Sequence, residues 1–72
     1  MTIWDILKDA TIVVAHDPWV IAWNYSATFN VYEETGPGQW TEVDAFTSYD
    51  VATVKEARAL AREHMIEIWA AA

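Results

Sequence analysis

Apolar residues recur at two different periods along this chain. From Val51 onward they return every three or four positions, at Val51, Val54, Ala57, Ala61, Met65 and Ile68, with Lys55, Glu56, Arg62, Glu63 and Glu67 opposite. That is the period of an amphipathic helix. Thr53 and Glu56 have capping-box spacing, and Asp50 is a second candidate start, so a helix is predicted from there to about Trp69. Between Ala27 and Phe46 the pattern changes. Two runs rich in aromatic and β-branched residues, Ala27–Glu34 and Trp40–Phe46, flank Thr35–Gln39, whose Gly36, Pro37 and Gly38 are turn formers. This stretch reads as a β-hairpin.

The N-terminal third is less periodic. Thr2 can cap a short helix running to Ala10, with Asp5 three residues on and Ile3, Ile6 and Leu7 on one face. A helix of that length is unstable alone and must dock on the sheet. Thr11–Ala15 reads as a strand or as a stiff connection into one. Pro18 breaks the run, because the residue before a proline leaves the helical region. Trp19–Tyr25 is a further extended run. The predicted fold is therefore α+β within one domain of residues 1–72: a short N-terminal helix, a three- to four-stranded antiparallel sheet and a long C-terminal helix on one sheet face.

Strand alternation predicts which side chains share a face. With Glu34 opposite Trp40, Tyr32 faces Glu42, Asn30 faces Asp44 and Thr28 faces Phe46. On the other side Val31 faces Val43 and Phe29 faces Ala45, a purely apolar set expected to meet the C-terminal helix. A tight turn at Tyr25-Ser26 would add Val20 and Ala22 to this core face. Ile21 and Trp23 would then join the mixed face beside Tyr32. Either the N-terminal helix or a second copy covers that aromatic, acidic face, or it is a binding patch for a foreign protein.

Composition narrows the function. Net charge is −7, and from Asp9 to Val54 there is no Lys or Arg but seven acids: Asp9, Asp17, Glu33, Glu34, Glu42, Asp44 and Asp50. Direct binding to nucleic acid or an anionic membrane is disfavoured, since both require a basic face. A basic protein surface is the natural counterpart, and mimicry of a nucleic acid's charge is one way to engage it. The expected partner-binding residues are Tyr32, Glu33, Glu34, Trp40, Glu42 and Asp44, with Trp23 beside them. A homodimer through Trp19, Trp23 and Trp40 is the alternative from a different class. With no basic leader followed by an apolar run and no long apolar span, a cytoplasmic location is expected.

Catalytic signals are weak. There is no cysteine, and the single glycine-rich element is a turn with no lysine or helix start after it. His16-Asp17 could be half of an acid–base pair but reads better as a capped loop. His64 lies near Glu63 and Glu67, short of the three convergent ligands a metal needs. No enzyme activity, metal or cofactor is expected.

Two family resemblances follow from these residues. Thr53-Val54-Lys55-Glu56-Ala57, after strands and an aromatic at Phe46, resembles the sheet-to-helix junction of HicB-type antitoxins. That likeness implies capping of a basic ribonuclease toxin; the family's Pro-Asp-Leu-Pro-Gly signature is not present. In size, charge and lack of cysteine the chain also resembles phage-encoded anti-CRISPR and anti-restriction proteins. That likeness implies inhibition of a nucleic-acid-binding defence complex in the host cytoplasm and transfers no residue.

Overall fold

The computed structural model describes residues Met1–Ala72. Six elements follow in order: α1 (Ile3–Leu7), β1 (Ile12–His16), β2 (Trp19–Trp23), β3 (Thr28–Gly36), β4 (Gln39–Thr47) and α2 (Val54–Ala71). The strands form one antiparallel sheet in the order β1-β2-β3-β4, so every strand pairs with its neighbour in sequence. The α+β architecture read from the sequence is the one observed. No helix is long and apolar enough to cross a membrane.

Both predicted caps form. The Thr2 hydroxyl accepts from the Asp5 N–H, while the Asp5 carboxylate accepts from the Thr2 N–H at 2.8 Å. The hydrogen bonds from Thr2 hold the Asp5 carboxyl below its usual value. At α2, Thr53 accepts from the Glu56 N–H at 3.1 Å.

The two helices cover opposite faces. On the larger side Ile12, Ile21, Trp23, Phe29 and Val31 meet Ala57, Ala61 and Met65 of α2, with Val54, Phe46 and Ile68 at the margin. The predicted helix stripe is thus the buried one. Small residues at 57 and 61 let α2 lie close against β1 and β2. On the smaller side Ile6 of α1 packs on Val20 and Ala22, ringed by Ile3, Ala10, Val13, Tyr32 and Trp40. Five residues of helix stand there because they bury an apolar face, which an isolated helix of that length could not do.

Two strand phases differ from expectation, each by one residue. The β2–β3 connection is longer than a two-residue turn. Ile21 pairs with Val31 and Ala22 with Asn30, which sends Ile21 and Trp23 into the α2 core and Val20 and Ala22 to the α1 side. In β4 a register shift between Val31 and Tyr32 leaves Val43 without a partner. Near the turn the expected pairs hold, Glu34 with Trp40 and Tyr32 with Glu42. Beyond the bulge Val31 faces Asp44, Asn30 faces Ala45 and Phe29 faces Phe46. Val43 is 48% exposed and Ala45 is exposed, so neither joins the core; Phe46 takes their place, stacked on Phe29 at 4.7 Å. A single-residue slip inverts every later side chain because the strand period is two.

Candidate functional site

The β3–β4 hairpin carries the acids singled out from the sequence, but not on one face. Residues paired across an antiparallel ladder point to the same side. Glu42 (with Tyr32) and Glu34 (with Trp40) lie on the α1 side; Glu33 (with Trp19) and Asp44 (with Val31) lie on the α2 side. Placing Asp44 with Glu34 and Glu42 is corrected here, and the cause is the Val43 bulge. The result is an acidic hairpin whose carboxylates stand on both faces of the β3–β4 pair. Glu34, Glu42 and Asp44 are exposed and Glu33 is half-buried.

No salt bridge engages this hairpin. No Lys or Arg nitrogen lies within ion-pair distance of any carboxylate, and the one His–carboxylate approach is His64 Nδ1 to Glu67 at 3.9 Å. The Glu42 carboxylate accepts a hydrogen bond from the Asn30 side chain, which fixes its position beside Tyr32. Asp44 accepts from the next backbone N–H, that of Ala45, at 2.8 Å.

The aromatic part of the expected site is dispersed. Tyr32 and Trp40 are half-buried beneath α1, so the helix supplies the cover that the sequence left open. Trp23 is 3% exposed, in the core on the other side of the sheet, and does not belong to this surface. The same placement separates Trp19 and Trp23, on the α2 side, from Trp40 on the α1 side. The three tryptophans therefore form no common patch.

The outer edge of β4 is partly occupied by the chain itself. Trp40 N–H donates to the Met1 carbonyl at 2.8 Å, and the Met1 ammonium donates back to the Trp40 carbonyl at 3.2 Å. With the bulge at Val43 and the Asp44 bond to Ala45, this interrupts the row of free backbone groups an edge strand presents. The β4 edge is thus poorly suited to strand addition.

Burial raises the Tyr32 hydroxyl above its ordinary value of 10.0, and the Glu42 carboxylate raises it further. A group whose pKa is raised on folding contributes stability below its unfolded pKa, and this is lost as pH rises through the folded one. Alkaline titration followed by tyrosinate absorbance should show a late step that Tyr32→Phe removes. In Glu42→Gln that late step should move toward 10.0 without reaching it, since burial is the larger cause. A late step untouched by the substitution would remove Glu42 from the pair.

Both histidines lie against rings. His16 packs on Trp69 at 5.1 Å and His64 stacks on Phe46 at 3.9 Å. No three His, Asp or Glu side chains converge. Two tyrosines that sequence reading passed over, Tyr25 and Tyr49, stand 67% and 87% exposed at the far end of the sheet. The turn-forming Asn24 and Ser26 around Tyr25 were the available signal that it lies in an exposed loop.

No protein family matches the chain, and no curated protein matches it. No solved structure matches it either.

Proposed function

We propose that this protein is a non-enzymatic inhibitor that lays its acidic β3–β4 hairpin on a basic protein surface, most naturally the nucleic-acid groove of an effector. The observation that carries this reading is the hairpin itself: Glu33, Glu34, Glu42 and Asp44 gather on it with no cation in ion-pair range. Carboxylates free of salt bridges offer a cationic groove what phosphates would offer it. The likeness in size and charge to phage anti-defence proteins, and the HicB-like helix start at Thr53, favour the same class of partner. Contact through exposed charges speeds association and weakens with salt, because the Debye length falls below about 10 Å above 0.1 M.

The test compares capture of proteins from a bacterial lysate by the wild type and by the triple variant Glu34→Lys, Glu42→Lys, Asp44→Lys. The three residues are exposed, so circular dichroism should be unchanged. Capture of basic proteins should fall at least roughly tenfold, and raised salt should mimic the variant. Equal capture by the two proteins would overturn the proposal.

A further inference from the structure

We infer that this protein dimerises through β1, whose outer edge pairs antiparallel with β1 of a second copy and joins the two four-stranded sheets into one. β1 is the unguarded edge. It pairs with β2 on one side, and no backbone hydrogen bond outside the ladders reaches Ile12–His16. Edge strands are blunted by charge, proline or a bulge. Ile12-Val13-Val14-Ala15-His16 has no Lys, Arg, Asp, Glu or Pro, and its register against β2 runs without a shift. The β4 edge, by contrast, carries the irregularity at Val43 and the bonds from Met1.

The occupant is a second copy because the strand is self-complementary. With Val14 opposite Val14, a symmetric pair sets Val13 against Ala15 and Ile12 against His16. Ile12 and Val14 lie on the α2 side and Val13 on the α1 side. Each cross-strand pair keeps to one face, and the half-buried Val13 and Val14 gain apolar neighbours. Charge selects the same edge. Lys55, Arg58 and Arg62, three of the four cations, lie on α2, while Glu33, Glu34, Glu42 and Asp44 lie on β3–β4. Joining at β1 sends the two acidic hairpins to opposite ends of the continuous sheet; joining at β4 would press them together.

α2 fits the same arrangement. It lies over β1 and β2, and paired strands are about 4.8 Å apart. Pairing at β1 therefore brings the two α2 axes to roughly 10 Å, a distance at which helices pack. Trp69 packs on His16 of β1 at 5.1 Å, while His64 stacks on Phe46 of β4 at 3.9 Å. The flank of α2 that carries Trp69, and Arg62 two turns before it, thus points toward the free edge. The dyad at Val14 crosses α2 near Met65, because two strand residues span about as far as four helical ones. Arg62 of each copy then meets the Trp69 indole of the other as a cation–π pair. Ile66 and Trp69 are 68% and 57% exposed, and the second helix covers them as a foreign strand alone would not.

The test is sedimentation equilibrium of the full chain from micromolar to millimolar concentration. The mass should rise from 8.2 kDa toward twice that value, and quencher access to Trp69, open in the dilute monomer, should fall as it does. In a mixture of isotope-labelled and unlabelled chains, filtered NOEs should link Val13 of one copy to Ala15 of the other. Ala15→Lys, at an exposed β1 position, should weaken the dimer at least roughly tenfold. Trp69→Ala leaves the strand intact and should weaken it too, which keeps the test open if the lysine disturbs folding. Val43→Lys, beside the other edge, should leave association within roughly twofold. A single 8.2 kDa species at millimolar concentration, a dimer indifferent to a folded Ala15→Lys or to Trp69→Ala, or one broken by Val43→Lys would each overturn the inference. The triple β3–β4 charge reversal should abolish capture of basic proteins without abolishing the dimer, so the two proposals fail separately.

Discussion

Phe29→Ala should cost about 3–5 kcal/mol. A domain of this length holds only about 4–11 kcal/mol in total, at roughly 0.05–0.15 kcal/mol per residue. Phe29 is 0% exposed and lies between Trp23, 6.0 Å away, and Phe46, 4.7 Å away with the rings only 6° from parallel. Removing it opens a cavity and also ends two ring–ring contacts worth about 0.5–1.5 kcal/mol each beyond burial. Urea denaturation followed by circular dichroism should give a sharply lowered midpoint or no cooperative transition. Val43→Ala is the matched control. Simple alternation would put Val43 in the same core, but the bulge leaves it in solvent, so its cost should stay within about 0.5 kcal/mol. If the two variants were equally destabilised, the bulged register would be wrong.

Ala61→Leu should destabilise by the opposite route. Ala57 and Ala61 are 0% and 1% exposed where α2 lies on the sheet. Extra methylenes there force side chains off their rotamers or lift the helix, at about 1–3 kcal/mol. For a domain of this size each kcal/mol lowers Tm by roughly 4–8 °C. Ala59→Leu, on the exposed side of the same helix, should leave Tm nearly unchanged. A Tm unaffected by Ala61→Leu would mean that α2 does not sit against β1 and β2 as closely as described.

The helices were legible in the sequence because their signals are local. Thr53 with Glu56 and the stripe from Val54 to Ile68 need no tertiary context, and the Thr2–Asp5 pair marks the short first helix equally well. The hairpin turn was legible for the same reason. Strand phase was not. Trp19–Trp23 is apolar at every position, so its pattern names neither face, and only the length of the Asn24–Ala27 loop decides it. Along β4 the pairing reads correctly from Trp40 to Glu42 and then inverts at Val43, because nothing in Glu42-Val43-Asp44 announces an extra residue. The acidic charge of the hairpin was countable from the sequence. Its division between two faces followed from that same single residue, and so did the misplacement of Asp44. Trp23 reads as a surface residue only when β2 is phased by a two-residue turn; its indole suits either face.

The five tryptophans make the molecule an optical reporter of itself. Trp23 is buried, Trp19 and Trp40 are half-buried, and Trp4 and Trp69 are exposed, one on each helix. A soluble quencher therefore reaches the helix indoles first and the core indole last. Emission remaining at saturating quencher follows the sheet, and the quenched fraction follows α1 and the end of α2. Each of the substitutions above can thus be assigned to a region of the fold without an added label.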